Sequence, residues 1–310
     1  MSLAPVDYDF GVPANYAFAE TITCSNDEAR KMYVEAFGHM LNYNHEQAIA
    51  CFTKCAELDE NCAMAWWGIA YCLSSSYNWS AGLGPGYDAI SQAVALKDHC
   101  SELEQDLIMA LSKRHTKEAR DNANPAALNM GNSPELNQAF ADAMAPLYEK
   151  YKGNLDVTAI YVEALMNLNP WTLWNKDAAS GEITPVDDST LMLIKIMEDA
   201  FENVPGAKEH PALCHLYCHA LELSPYPERA LPAADVLRTL MPGCGHLVHM
   251  PSHIDAWGGQ WKEAMDCNIA AVKADDHYVE LTGNESQFYK FYRMHNHHFV
   301  VWCAMFEGQY

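Results

Sequence analysis

Small and large apolar residues recur at helical spacing along most of the chain, in stretches separated by short polar turns. The clearest example is the stretch 45–70, where an acidic turn divides two such helices. Ala48 and Ala56 are small enough to let the helices cross closely, and Phe52 and Trp66 are large enough to fill the space beside them. Because neither helix can bury its apolar face alone, the pattern predicts helical hairpins that stack on their neighbours.

The rest of the chain divides into further helices and three polar breaks. A Ser-Asn-Asp-Glu run at 25–28 marks the first helix start, and Ser101 with Glu104 has the form of a capping box. Further helices are predicted over 88–119, 133–151 and 156–168, and breaks over 74–87, 122–134 and 169–189. The last break is long for a helical array, so we expect a lid there. Residues 1–25 show no period and are predicted to form an extended arm on a single domain that spans 1–310.

Half of the 14 histidines lie in three short helical stretches, at spacings of three or four residues. Residues so spaced lie on one face of a helix, so the rings within a stretch point the same way. A single histidine on an apolar helix is usually a core or capping residue. Seven histidines packed together would leave buried hydrogen-bond donors and acceptors without partners unless their nitrogens bind a metal ion. The seven are His215, His219, His246, His249, His253, His295 and His298.

These histidines repeat with the predicted helices. The interval from His215 to His249 equals the interval from His219 to His253. It is about 34 residues, the period at which one common class of stacked helical hairpins repeats. The Gly-Gln pair at 259–260 recurs at 308–309, which aligns the third histidine stretch with the second. We expect the extra residues to loop out between 275 and 289, and the rings of all three stretches to converge on one inner surface.

A transition-metal site is the chemistry that this pattern favours. Neutral imidazole binds copper, iron, zinc and nickel, and the scarcity of nearby carboxylates argues against magnesium or calcium. The expected ligands are His215, His219, His249, His253, His295 and His298. This number exceeds the set of an ordinary zinc site, so either two metals bind or one metal has additional orienting and acid-base histidines. Glu222, one turn beyond His219, and His246 are the expected catalytic residues.

Composition narrows the classes of partner. The net charge of −22 argues against nucleic acid, because the chain offers no positive field to phosphates. The eleven cysteines contain no CxxC pair and several stand in apolar helical patterns, which indicates reduced thiols in a reducing compartment. Residues 1–18 show neither the basic segment nor the long apolar run of a secretory leader, and no stretch of about 18 consecutive apolar residues occurs, so we expect neither a leader nor a membrane-spanning helix. We therefore expect a cytoplasmic protein without a membrane partner.

The chain resembles the tetratricopeptide-repeat-like (TPR-like) proteins, a mostly bacterial family that offers no established reaction to carry over. The resemblance rests on the strings GHLVHMPSH at 245–253 and HNxH at 295–298, supported by the hairpin residues 59–68. It implies an all-α solenoid, a right-handed superhelix of helical hairpins whose groove the histidines line. The last helix lacks a partner before Tyr310, so we expect a missing C-terminal segment or a second copy of the chain to cover it.

The sequence thus favours a metalloenzyme, an oxidoreductase that acts on a small molecule with one or two ions per chain. Copper is the favoured metal, followed by iron and then zinc. A zinc-dependent hydrolase stays open, in which a metal-bound water loses its proton to Glu222. A non-catalytic scaffold that binds a peptide in its groove is the third hypothesis, but it calls for lysine, arginine or asparagine where this chain has imidazoles.

Overall fold

The computed structural model of the 310-residue chain describes residues 4, 5, 8, 10, 21–78, 86–122, 133–284 and 286–309. These residues are mostly helical, as the periodicity predicted. They form two compact units, one built around Asn44–Trp171 and the other from Leu41–Tyr43 and the chain beyond Thr172. Within the described residues, no helix combines the length and the apolar character that a membrane crossing needs. Most of the predicted arm at 1–25, and parts of the breaks at 74–87 and 122–134, lie outside the described residues.

The first unit consists of helices joined by short turns. They are α1 (Asp27–Leu41), α2 (His45–Leu58), α3 (Ala63–Cys72), α4 (Gly86–Leu96), α5 (Glu102–Leu111), α6 (Lys117–Asp121), α7 (Pro134–Lys150) and α8 (Leu155–Met166). The predicted starts of two of them are confirmed by their caps. Asn26 Oδ1 accepts the N–H of Ala29 at 2.8 Å before α1, and Ser101 and Glu104 form the expected capping box before α5.

The close crossing of α2 and α3 is confirmed, with one correction. Phe52 is fully buried against Gly68, where an added Cβ would lie 2.5 Å from Cζ of the Phe52 ring. The expected second filler was Trp66, but that side chain is only half-buried and its neighbour Trp67 is completely buried. Trp67 donates from Nε1 to the carbonyl oxygen of Leu107 at 3.2 Å, which satisfies its buried indole N–H.

The second unit contains a short hairpin and the remaining helices. They are β1 (Trp174–Lys176), β2 (Ile183–Pro185), α9 (Asp188–Asn203), α10 (Pro211–Leu221), α11 (Leu231–Leu240), α12 (Gly245–His249), α13 (Pro251–Gly258), α14 (Trp261–Thr282) and α15 (Gln287–Phe306). Here α14 is the central element, because α12, α13 and α15 all pack against it. All eleven cysteines of the chain are free thiols.

The break at 169–189 is not an irregular loop throughout, contrary to the prediction. β1 and β2 pair antiparallel, with Trp174 opposite Pro185 and Lys176 opposite Ile183. Strands this short do not let a two-residue alternation show in the sequence. Trp174 donates from Nε1 to the carbonyl oxygen of Ala220 at 2.7 Å, so the hairpin is anchored on α10. A role of this segment as a lid stays a prediction.

The repeat interval of the histidines is visible in the helix starts of the second unit. The N-cap residue of α10 is His210, and that of α12 is Cys244. The elements that follow begin at Pro227, in a 3-10 turn that leads into α11, and at Trp261. Both pairs of starts are separated by the same interval as His215 and His249. Both hairpins therefore keep the same internal register, while their stacking into a solenoid stays a prediction.

The loop expected between 275 and 289 is wrong over most of its length, because α14 continues to Thr282. No glycine or proline interrupts that helix, and Gly283, with φ of +64°, ends it. The alignment of 259–260 with 308–309 itself agrees with the helix ends. Beyond α13 the N–H of Gln260 donates to Asp255 O, and beyond α15 the N–H of Gln309 donates to Ala304 O, both at 2.9 Å.

Candidate metal centre

Four helices of the second unit carry the seven histidines that the sequence singled out. His215 and His219 lie on α10, His246 and His249 on α12, His253 on α13, and His295 and His298 on α15. α10 begins at Pro211, whose missing N–H costs nothing in a first turn. Met250, between α12 and α13, has helical angles (φ −52°, ψ −37°), so the chain continues with little change of direction and keeps the rings on one side.

The first group of imidazoles is fully buried. It consists of His215, His219 and His246, which are 1%, 2% and 5% exposed. One ligand nitrogen from each lies within 4.8 Å of the other two. Nε2 of His246 is 3.1 Å from Nε2 of His215, and the two rings meet edge to face. Three nitrogens so placed are a donor set for one metal ion.

The second group, which is more open, consists of His249, His253 and His295. Its three ligand nitrogens also lie within 4.8 Å of one another. His249 is fully buried, whereas the side chain of His253 is 13% exposed and His295 is partly exposed. The ring centroid of His249 is 4.8 Å from that of His253 and 4.6 Å from that of His295. Of the two groups, this one is therefore in contact with solvent.

One buried carboxylate connects the two groups. Glu222 Oε1 is 2.7 Å from Nδ1 of His219 in the first group, and Oε2 is 2.7 Å from Nδ1 of His253 in the second. Burial opposes the ionisation of Glu222, but His253 and His219 outweigh it and hold the pKa of the carboxyl below its usual range. An ionised carboxylate can only accept, so both Nδ1 atoms donate, and in the neutral form of each ring the lone pair lies on Nε2.

An amide fixes the third ring in the same way. Nδ1 of His249 is 2.7 Å from Oδ1 of Asn268, while Nδ2 of that amide donates to the carbonyl oxygen of Ala264 at 2.7 Å. The second bond orients the amide, so it is the oxygen that faces the imidazole. Nδ1 of His249 is thus a donor, and its lone pair also lies on Nε2. Such partners on the far nitrogen are usual for imidazoles that bind metals.

The consequence is an unusual contact between two lone pairs. Nε2 of His249 and Nε2 of His253 are 2.9 Å apart, and neither carries a hydrogen when both rings are neutral. Two acceptors at hydrogen-bond distance repel unless a cation lies between them or beside both. Two nitrogens that share one metal at about 2.0–2.1 Å are about 3 Å apart. The separation therefore fits a metal-binding pair.

Burial favours the neutral form of four of the six rings in the two groups. Burial lowers the pKa of His215, His246 and His249 well below its usual range, and neighbouring imidazoles lower it further. Burial, followed by His253, lowers the pKa of His295 to about 4. A second proton on His249 is disfavoured for this reason. Neutral imidazole is the form that binds a metal ion.

Aromatic side chains enclose the cluster on two sides. Tyr43 meets His215 edge to face at 4.7 Å, and Tyr292 lies 4.5 Å from His246 between ring centroids. Phe299 lies 5.0 Å from the centroids of both His249 and His295. Tyr43 adopts a left-handed backbone angle, φ of +55°, which is costly for a tyrosine and is often found at functional sites. These rings cover the nitrogens of the first group and part of the second.

Six of the seven predicted histidines therefore converge, and one does not. His298 is exposed and belongs to neither group of ligand nitrogens in the described residues. Its helix α15 is buried along Asn296, Phe299 and Cys303, and His298 lies on the opposite side. His246, expected to be catalytic, lies within the first group of ligand nitrogens. Glu222, also expected to be catalytic, contacts two rings through both of its oxygens.

The sequence missed two kinds of residue around the centre. Asn268 carries no pattern that distinguishes it from any other polar residue on α14, so nothing pointed to its contact with His249. Phe299 stands four residues after His295, and helical spacing alone would have placed it beside that ring.

Comparison of the sequence with protein-family models and with curated proteins gives no match.

Proposed function

We propose that this chain is a metalloenzyme that binds two transition-metal ions through six imidazoles and carries out oxidation-reduction on a small molecule. His215, His219 and His246 would hold one ion, and His249, His253 and His295 the other. The single observation that carries the proposal is the 2.9 Å separation of Nε2 of His249 and Nε2 of His253, two acceptors that repel each other when both rings are neutral. A metal ion converts that repulsion into two bonds.

The donor set supports copper first, then iron, and zinc last. Each group offers three imidazole nitrogens and, among the described residues, no carboxylate oxygen or thiol sulfur. All-nitrogen donors disfavour magnesium and calcium. Copper or iron, when bound, would supply the electron transfer that oxidation-reduction needs. The two groups are close neighbours, with ring centroids 5.9 Å apart for His219 and His253 and 6.2 Å apart for His246 and His249.

The two groups differ in what they can do. The first is sealed from water, which suits an ion that exchanges electrons without binding substrate. The second has the partly exposed His253 and His295, so we assign substrate access to that side. The neighbouring Phe299 ring makes this entrance apolar. A small molecule that approaches it therefore loses water before it meets the nitrogens.

A zinc-dependent hydrolase is less well supported. That reaction needs a base with a free oxygen near a metal-bound water. Both oxygens of Glu222 accept from imidazoles, so the carboxylate is better placed to orient His219 and His253 than to take up a proton.

The equal spacing of the helix starts supports the proposed TPR-like solenoid, and the free thiols agree with a reducing, cytoplasmic location.

Metal stoichiometry tests the proposal. The protein should be purified without a nickel column, stripped with a chelator and dialysed against copper, iron or zinc, and its metal content measured by elemental analysis. We expect about two ions per chain, and about one in each of His215→Ala and His249→Ala. His297→Ala is the matched control, because His297 is exposed on α15 beside His295 and should leave both ions in place.

Oxygen uptake with small phenols or thiols as reductants separates the reaction classes. The copper- or iron-loaded protein should consume dioxygen faster than the same metal on His249→Ala, and the zinc-loaded protein should not. Folded protein that binds no ion under any of these conditions would end the metalloenzyme proposal. Turnover that requires zinc would favour the hydrolase instead.

A further inference from the structure

Glu222 hydrogen-bonds one ring of each group, and its two contacts have different consequences. We propose that Glu222 is a positioning residue that keeps the second metal site open, by holding His253 in the tautomer whose Nε2 lone pair faces the metal. Without a second acceptor oxygen at residue 222, His253 would carry its hydrogen on Nε2 and donate it to Nε2 of His249. That hydrogen bond would occupy both nitrogens and close the second metal site. This inference rests on the proposed dinuclear centre.

The argument begins with what a glutamine would offer at this position. Glutamine has the shape of glutamate but presents one oxygen and one NH2 group in place of two acceptor oxygens. Its oxygen can accept from only one of His219 and His253. The NH2 group then faces Nδ1 of the other ring, which must become an acceptor. In a neutral imidazole that moves the hydrogen to Nε2, and the ring can no longer bind a metal there.

The surroundings decide which ring changes. His253 has a hydrogen-bond acceptor close to its Nε2 atom. Nε2 of His249 lies 2.9 Å away, and the contact of His249 Nδ1 with Asn268 fixes its lone pair on that nitrogen. A hydrogen on Nε2 of His253 would donate straight into that lone pair. The substituted amide would donate from its NH2 group to Nδ1 of His253, and Nε2–H of His253 would donate to Nε2 of His249. Every group in this chain of contacts is satisfied, and the second site is closed by its own hydrogen bond.

His219 has the weaker reason to change. The glutamine oxygen, turned toward it, keeps its Nδ1 as a donor and its Nε2 lone pair within the first group. Native Glu222 prevents the closure because its carboxylate has no hydrogen to give, so His253 donates from Nδ1 and the neutral ring then carries no hydrogen on Nε2. The negative charge of Glu222 therefore prevents a hydrogen bond from Nε2 of His253 to Nε2 of His249.

The test combines tautomer and stoichiometry. Long-range nitrogen–proton NMR on metal-free protein should show His253 protonated on Nδ1 in the native chain and on Nε2 in Glu222→Gln. Metal titration should give about two ions for the native chain and about one for Glu222→Gln, with second-site affinity lowered about 10- to 100-fold. Glu222→Gln combined with His215→Ala should bind none, whereas with His249→Ala it should still bind one.

Glu202→Gln is the matched control, since it removes the same charge from an exposed position on α9 and should change neither readout. The ion retained by Glu222→Gln also shows that the variant folds. Two ions bound with native affinity by Glu222→Gln, or an Nε2 proton on His253 in the native chain, would overturn the inference. Absence of metal binding by the native chain would instead overturn the proposed function, while the NMR result would still decide the tautomer.

Discussion

Gly245 and Asp275 touch so closely that a side chain at the first position of α12 would have to displace its neighbour. A Cβ added to Gly245 would lie 2.0 Å from Oδ1 of Asp275 and 3.1 Å from the carbonyl oxygen of Ala271 on α14. The first turn of α12 therefore lies directly on α14. His246 is the next residue and His249 lies one turn further on, so this contact sets where their rings stand.

Gly245→Ala is expected to destabilise the fold by about 1–3 kcal/mol, as overpacking does in a buried interface. It should also weaken metal binding at both groups, because α12 carries one ring of each. Urea denaturation and metal titration measure the two effects. Gly258→Ala is the matched control at the end of α13, where an added Cβ would meet nothing closer than 3.5 Å. It should leave both properties almost unchanged, and equal effects from the two substitutions would contradict the account.

Asp275 should make stability depend on pH. Tyr289 and Asn296 donate to its two oxygens at 2.9 and 2.8 Å. Burial nevertheless raises its pKa from 3.8 to about 6, with Arg293 acting against the rise and Asp276 adding to it. A folded-state pKa above the unfolded one stabilises the fold below about pH 4, and this contribution is lost as pH rises through 6.

Asp275→Asn removes this titration. The variant's stability relative to the native protein should therefore increase between pH 4 and pH 7, by up to about 3 kcal/mol for a shift of this size. Urea denaturation of both proteins across that range measures the difference. Glu280→Gln is the control, since Glu280 is an exposed carboxylate on the same helix. A stability difference that stays constant with pH would show that Asp275 does not titrate as its burial implies.

Asn268 should matter for the second metal site alone. Asn268→Ala removes the acceptor of the His249 Nδ1–H, and second-site affinity should fall about 10- to 100-fold, as for other partners of metal-binding imidazoles. Asn203→Ala is a close control, because the Asn203 amide also donates to the carbonyl four residues earlier but contacts no histidine. Equilibrium dialysis with copper measures both. A matching loss at the first site would mean that Asn268 acts through the fold instead.

Bound metal should stabilise the folded chain. Each occupied site adds about 2.7 kcal/mol when free metal exceeds the dissociation constant about 100-fold, provided that the unfolded chain does not bind. The melting temperature should therefore rise on loading and return after chelation. His249→Ala should show a smaller rise than the native chain, and His297→Ala the full rise. Identical shifts in all three proteins would indicate binding elsewhere on the chain.

The sequence predicted well whatever depends on local spacing. Apolar periodicity located the helices, and the capping residues before α1 and α5 marked their starts. The repeat interval placed His215 and His219 in register with His249 and His253, and the structure brings all four into the two groups. These successes share a cause, since helix faces follow directly from residue spacing.

What depends on packing around a helix was harder to predict. The alignment of the third histidine stretch with the second treated His298 as equivalent to His249, but α12 is buried on all sides whereas α15 is buried on one. A histidine on the open side of α15 cannot reach the cluster, whatever its register. Asn268 lies on a helix with no histidine pattern, and its role exists only because α14 packs against α12. Spacing along one helix does not specify which neighbour covers it.

Anomalous X-ray diffraction from copper-loaded crystals is the most direct test of the central claim. We predict two anomalous peaks per chain at the copper absorption edge, one bonded to nitrogens of His215, His219 and His246 and the other to nitrogens of His249, His253 and His295. Well-ordered imidazoles with no peak among them, or copper bound only at exposed positions such as His297 and His298, would contradict the account.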